Sequence, residues 1–561
     1  MSETIPDTGR VFDRWTAWTL MGVAAFMLWG ATHYTVFDDE AFSCRRYVLP
    51  LAEMVSALWH GVEPDPPLYY VLQNGWVRLT GVGPLGLRSL SMLLFLAGLV
   101  FIRLAGTAWF DAPTGRVVML LAALHPAHLF FGFAARWYAM MFLAVAVLLY
   151  ATGRIVHLEH GRNTAGRSRR PPGPPQRMSW PRMGGWAVVA AAVCYTNYFG
   201  PVVVGLVWLA GVWCTRGVAR AWRRWLVALA TTVALFAPWG PPFAWQLTHF
   251  PGADRSVASY MATAARTGLA LLTGDLASPG AWWAWGPMIL FAMAVIILCI
   301  RQAHTVGPMA TVVIGCLAAG AFSLSMKDKY IMTLSGPACI LAAAVLVAGW
   351  RAGRRRTEGR IARVAVTALA IGWAGCLFNL AAQRNWSSLR WLDPFESIAR
   401  NVRRSLAEDS AIVVAASHPS VRYYLACLRV LEILGPDADR SWRIDPAAWQ
   451  RADAPRPGPV PIRDSGVCAP RDILHAAPDQ TSEAAVTSVA QWITIETTGY
   501  SDDADGATFR AILRRDFKMT RERKWLRDPD ASLKDRLDPA FRHPSWRIVV
   551  RHWNRRPLPR P

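Results

Sequence analysis

Runs of apolar residues long enough to cross a hydrocarbon core of ~30 Å occupy positions 15–36, 86–108, 115–133, 137–156, 225–242, 281–300, 305–325, 329–350 and 363–383. No other feature restricts the fold as strongly. In lipid every backbone polar group has to be satisfied within the chain, which leaves helices or closed barrels, and runs of this length are helical. The run 184–214 supplies two further spans if it turns at YTNYFGP, where Asn197, Gly200 and Pro201 gather. The expected fold is therefore an α-helical polytopic membrane protein with about 11 transmembrane helices. A hydrophobic content of 53% and a mean hydropathy of +0.22 set the chain apart from ordinary soluble enzymes.

The net charge of +22 acquires meaning only from where the arginines fall. They cluster at 153–177, 216–224 and 351–363, all on one side if the spans alternate. The carboxylates Asp38, Asp39, Glu40, Glu53, Glu63, Asp65, Asp254, Asp275 and Asp328 fall on the other. This is the positive-inside pattern, and it accounts for the basic charge with membrane lipids as neighbours and no nucleic-acid partner. With the N-terminus inside, eleven spans leave everything after about residue 384 outside. The first apolar run lacks a small-residue cleavage site and reads as a retained span. Of nine cysteines, only Cys427 and Cys468 share the outer C-terminal region, where an oxidising compartment permits a disulfide.

Two domains are expected, a transmembrane domain over 1–383 with an outer loop at 37–85, and an extracytoplasmic α/β domain over 384–561. In the loop, LAEMVSALWHG and LYYVLQNGWVRLTG carry apolar residues at helical spacing. The inner loop 157–182 is rich in Pro and Arg, and no internal repeat is present. Beyond 384 the apolar runs shorten to strand length. Residues 397–417 read as a helix, a turn and a strand, 492–497 and 546–553 read as strands, and ATFRAILRRDF between them reads as a helix.

Several ionisable residues sit at outer span boundaries. Asp38, Asp39 and Glu40 end the first apolar run; adjacent carboxylates repel, so they need solvent, a cation or a task that uses a proton acceptor. Glu63 and Asp65 precede Pro66 and Pro67, which fix the start of a helix beginning Leu68-Tyr69-Tyr70. Arg88 and Arg136 begin two spans, where snorkelling to the interface is the plain alternative to a functional role. The chain has five lysines, and Lys327 and Lys329 are the two that precede the C-terminal region. With Asp328 between them, they form either a solvated turn or a site for an anionic phosphate.

In order along the chain, DDEAFS, PPLYY, LRSLS, ARWYA, YTNYFG and the Lys329-Tyr330 pair before Pro337 resemble the membrane glycosyltransferases of the GT-C superfold. The resemblance is to family 39, the protein O-mannosyltransferase type, and to bacterial relatives that modify lipid A or lipopolysaccharide. It covers about 30–350. It implies a multi-pass protein of the bacterial inner (plasma) membrane, with its active site and C-terminal domain facing the periplasm or cell exterior. It also implies a polyprenyl-phosphate-linked sugar as donor and a hydroxyl on a lipid, glycan or protein as acceptor. The family's acidic residue in the first outer loop maps to Asp39, with Glu40 and Asp38 beside it. Glu63, Asp65, Tyr69, Arg88, Arg136, Tyr138, Lys327, Lys329 and Tyr330 complete the implied substrate-binding set. Three features depart from the family pattern: Asp65 stands where His is common before the Pro pair, AARWYA stands where a longer acidic or Arg-Met signature is often found, and Lys329 stands where Arg is usual before Tyr.

Such residues suit the chemistry. Displacing a polyprenyl phosphate from an anomeric carbon develops negative charge on the leaving phosphate, which Lys329, Lys327, Arg136 and Arg88 are candidates to stabilise. A carboxylate, here Asp39, takes the acceptor's proton. A divalent metal bridging carboxylates and phosphate is compatible with the pattern but not required by any spacing. The competing reading is a transporter or flippase of lipid-linked sugars. Transporters place ionisable residues at the bilayer midplane and repeat their halves, whereas these spans are nearly free of charge.

Overall fold

The computed structural model describes residues 13–34, 36, 38–60, 65–165, 180–216, 218, 221–249, 271–273, 282–323, 331–353 and 356–381, and seven strands between 410 and 555. The helices are α1 (Arg14–His33), α2 (Asp38–Tyr47), α3 (Leu51–Trp59), α4 (Leu68–Thr80), α5 (Pro84–Trp109), α6 (Ala112–Leu124), α7 (Pro126–Phe131) and α8 (Tyr138–Ala165). They continue as α9 (Trp180–Thr196), α10 (Gly200–Thr215), α11 (Ala221–Phe236), α12 (Gly240–His249), α13 (Trp282–Arg301), α14 (Ala303–Ser323), α15 (Ile331–Arg351) and α16 (Thr357–Ala381).

Each of the eleven expected spans overlaps a described helix. Five helical stretches are long and apolar enough to cross a membrane: Pro84–Trp109, Tyr138–His157, Ala221–Trp245 (α11 continuing through a 3₁₀ turn into α12), Met332–Arg351 and Thr357–Phe378. Others, such as Ala112–Leu124 and Gly200–Thr215, are apolar but shorter. Proline explains one shortening. Pro126 has no N–H to donate and holds His125 in extended backbone (φ −62°, ψ 122°), so the run expected at 115–133 is cut into α6 and α7. The break between α9 and α10 falls where YTNYFGP places it. Asn197 Oδ1 accepts from the Phe199 N–H at 2.9 Å, and a Cβ on Gly200 would lie 2.4 Å from the Val193 carbonyl oxygen, so glycine is needed there.

Contacts divide the chain into two units. The first comprises Met1–Ala31, Val55–Leu72 and Arg88–Ser387. Its interior is bound by indoles that satisfy their own N–H groups: Trp186 Nε1 donates to Thr152 Oγ1 at 2.8 Å and Trp225 Nε1 to Thr215 Oγ1 at 3.0 Å, the two rings meeting edge to face at 5.3 Å. Ion pairs gather the ends of alternate helices. Asp13 Oδ2 receives Arg103 Nη2 at 3.0 Å and Arg116 Nε at 3.1 Å, Asp111 pairs with Arg351, and Arg301 pairs with Glu358 at 3.0 Å.

The Asp13 bracket has a defined pH dependence. Burial pushes the carboxyl's pKa up, but the Thr16 N–H and hydroxyl together with Arg103 and Arg116 outweigh it, and the net shift is down. A carboxyl depressed in the folded state adds stability above its unfolded pKa of about 3.9, and that stability is lost as pH falls through the lower folded value. Asp13→Asn is expected to cost about 1–3 kcal/mol near pH 7. Unfolding temperatures of parent and variant should converge as pH falls below the carboxyl's depressed folded value; a gap independent of pH would show that the bracket acts through shape and not charge.

The second unit comprises Thr32–Met54, Gln73–Leu87 and Ser388–Pro561. In it Asn74 Nδ2 donates to the carbonyls of Tyr47 and Leu49 at 2.7 and 2.8 Å, fastening the end of α2 to α4. Gly81, at φ +79°, closes α4 through its N–H to the Val77 carbonyl. The strands are β1 (Ser410–Ala415), β2 (Leu434–Pro436), β3 (Trp442–Arg443), β4 (Ile462–Ser465), β5 (Gln491–Thr498), β6 (Phe517–Leu526) and β7 (Arg547–Arg555). Five form one mixed sheet in the order β4-β1-β5-β7-β6, parallel around β1 and antiparallel around β7. The strands expected at 492–497 and 546–553 are β5 and β7, paired with Ile495 opposite Val550. The two helices expected beyond 384, and Cys427 and Cys468, lie outside the described residues.

Candidate active site

Sequence reading ends the first span at the acidic triplet; the structure begins a helix there. Asp38, Asp39 and Glu40 form the first turn of α2, where the helix dipole favours negative charge. Position on the helix separates them. Asp39 is partly exposed, whereas Glu40 is fully buried on a stripe with Ser43, Cys44 and Tyr47.

The first unit brings together a second set of expected residues. Arg136, in the turn between α7 and α8, donates from Nη2 to Asp65 Oδ2 at 2.8 Å and from Nη1 to the Tyr70 hydroxyl at 3.0 Å. Tyr70 closes the triangle by donating to Asp65 Oδ2 at 3.3 Å. Asp65 and Arg136 expose only 4% and 6% of their side chains. The prolines at 66 and 67 give way to α4, and successive helical residues diverge by about 100°. Tyr70 therefore faces Asp65 while Tyr69 turns to Ser91, 2.8 Å from its hydroxyl. Ser91 Oγ in turn donates to the Arg136 carbonyl at 3.5 Å.

Arg88, fully buried, donates to the Ala31 carbonyl at 3.0 Å and lies 5.3 Å from the Phe133 ring centroid. Tyr138 is buried in edge contacts with Phe131 and Trp137. Glu63, Lys327, Lys329 and Tyr330 lie outside the described residues. Among the described residues, no group of three or more His, Cys, Asp or Glu is placed to hold a metal.

Sequence reading passed over Tyr70 as a partner, although the Tyr-Tyr doublet after a Pro pair was the available signal. It also passed over His125 and His128. His125 Nδ1 accepts from the Ala127 N–H at 3.2 Å, so its proton is on Nε2, 2.7 Å from the Leu271 carbonyl. His128 carries its proton on Nδ1, toward the Ala122 carbonyl at 2.7 Å, which leaves Nε2 to accept from Ser335. The two are opposite tautomers, His128 joining the α6–α7 corner to α15 and His125 joining it to Leu271.

No protein-family model and no curated protein sequence matches this chain. Solved structures do. The crystal structure of ArnT from Cupriavidus metallidurans bound to undecaprenyl phosphate is similar with a TM-score of 0.52 at 13% identity, over 96% of this chain and 98% of that one. Archaeal oligosaccharyltransferase AglB from Archaeoglobus fulgidus, in complex with an inhibitory peptide and a dolichol-phosphate, scores 0.42 at 11% identity over 86% of this chain and 69% of that one. Arabinofuranosyltransferase AftD from Mycobacteria scores 0.38 at 14% identity over 97% of this chain and 40% of that one. At these last two scores the likeness carries no weight of its own. The full-length likeness to ArnT establishes that this chain has the fold of the GT-C membrane glycosyltransferases.

Proposed function

We propose that the chain is a membrane glycosyltransferase of the family 39 type, moving a hexosyl or pentosyl group from a polyprenyl-phosphate carrier to a hydroxyl on a lipid, glycan or protein. The observation that carries this reading is the likeness, over nearly the whole of both chains, to a fold solved with undecaprenyl phosphate bound. In the reaction the acceptor oxygen bonds to the anomeric carbon, the bond from that carbon to the phosphate oxygen breaks, and polyprenyl phosphate leaves with the electron pair. The acceptor proton passes to a carboxylate, which we assign to Asp39, the described member of the triplet that is partly open to solvent. Cations near the leaving phosphate stabilise its charge, and we assign this to Lys329 and Lys327, with Arg88 as a further candidate. The experiment is mass spectrometry of envelope lipids, glycans and proteins from a deletion strain beside its parent. Loss of one sugar increment from one class identifies the acceptor; unchanged profiles in all three classes reject the reading.

The same proposal places the protein in a bacterial inner (plasma) membrane, crossing it eleven times, with the acidic loop and the C-terminal domain outside. Two observations support it. The ion pairs at Asp13, Asp111 and Glu358 join helix ends that alternation assigns to one face. Exposed indoles at Trp15, Trp18, Trp180, Trp213, Trp222 and Trp350 stand at ends on that same face, as an interfacial belt requires. Reporter fusions at positions 170, 220 and 356 are expected to read as cytoplasmic, and fusions at 64, 255 and 450 as external. A cytoplasmic signal from 450 would overturn the eleven-span topology.

A further inference from the structure

We infer that Asp65 and Arg136 are a charge-compensating clamp that positions the start of α4, and that Arg136 is not a ligand of the carrier phosphate. This rests on the glycosyl-transfer reading and revises the phosphate role that the sequence analysis gave Arg136 as a candidate. Both Nη atoms of Arg136 are engaged within the protein, by Asp65 at 2.8 Å and by Tyr70 at 3.0 Å. A carboxylate held against the guanidinium repels a second anion, so a phosphate reaching Arg136 would have to displace Asp65 from a site where it is 4% exposed. The backbone of Arg136 is held as well, through Ser91 and Tyr69 on the neighbouring face of α4. Two adjacent tyrosines thus fasten the helix start to both the side chain and the carbonyl of one residue.

The physics of buried ion pairs separates this role from phosphate binding. Removing one partner strands the other charge in a low-dielectric interior and is strongly destabilising, whereas replacing both with apolar residues of similar volume is often neutral or better. A clamp needs the two residues to match; a phosphate ligand needs the positive charge at 136. Lysine keeps that charge but lacks the planar fork that reaches Asp65 and Tyr70 together.

The test uses the full chain in detergent, with undecaprenyl phosphate as the probe. Unfolding temperature and Kd are measured for the parent, Asp65→Leu, Arg136→Met, Arg136→Lys and the double variant Asp65→Leu with Arg136→Met. Each single apolar variant is expected to unfold several degrees below the parent, with the double recovering more than half of the loss. Arg136→Lys is expected to lower the unfolding temperature despite its retained charge, and the double to bind undecaprenyl phosphate within about threefold of the parent. A double variant that folds but binds tenfold or more weakly would make Arg136 a phosphate ligand. One no more stable than the worse single would dissolve the clamp. If the parent itself does not bind undecaprenyl phosphate, the carrier reading fails, and the unfolding temperatures alone still decide whether the pair is coupled.

Discussion

Asp39→Asn is expected to lower the rate of sugar transfer at least ~10²-fold while leaving the affinity for the carrier nearly unchanged. The substitution keeps the size of the side chain and removes its capacity to take a proton. A base acting only as the acceptor oxygen attacks contributes to the transition state and not to ground-state binding, so the loss belongs in kcat and not in KM. Burial distinguishes it from its neighbour. Glu40 is fully buried beside Ser43 and Tyr47, so Glu40→Gln alters a packed position, whereas Asp39 is partly exposed. The measurement is initial transfer rate against donor and acceptor concentration for both variants, with unfolding temperature recorded alongside. Near-normal transfer by Asp39→Asn would move the base to Asp38 or Glu63, and equal activity in those variants would end the enzymatic reading.

The second large effect is expected at Lys329, which lies outside the described residues and whose assignment rests on sequence. It precedes α15 in a membrane region where lysine is otherwise confined to Lys327. A cation at the leaving phosphate is worth most as charge moves onto that oxygen, so Lys329→Met should cost a few kcal/mol of transition-state stabilisation, about 10²-fold in rate. Lys329→Arg keeps the charge and should retain much of the activity. A lysine that merely snorkels to the interface would leave both variants close to the parent. Lys327→Met in matched detergent is the control; small, equal effects in all three variants would remove Lys329 from the site and leave Arg88 as the cation to be tested.

Helical elements of the membrane region were the most legible part of the fold, since a run of apolar side chains in lipid has no other way to satisfy its backbone. The turn at YTNYFGP was legible for the same local reason, a side-chain acceptor, a glycine and a proline in one place. The cut at Pro126 was legible in principle, but an unbroken apolar composition over 115–133 concealed it. Strand β6 was not legible at all. FKMTRERKWL carries charges on successive residues and no clean alternation, and its extended form is supplied by pairing with β7, Trp525 opposite Ile548.

At the site, the sequence by itself singled out Asp65 and Arg136, because charge at a span boundary is costly enough to stand out, and the family resemblance added Tyr69 and assigned all three to substrate. Only the tertiary structure decided that Asp65 and Arg136 face each other, 71 positions apart in the chain, with Tyr70 completing the triangle. It likewise separated Asp39 from Glu40, which the sequence treats alike, by turning one helix so that one carboxylate is sealed and the other is not. The physical reason is common to both cases. Membership of a membrane boundary follows from the solvation energy of each residue taken alone, and a sequence carries that directly, whereas the partner of a buried charge is fixed by helix rotation and by contacts between distant segments, which exist only once the chain has packed.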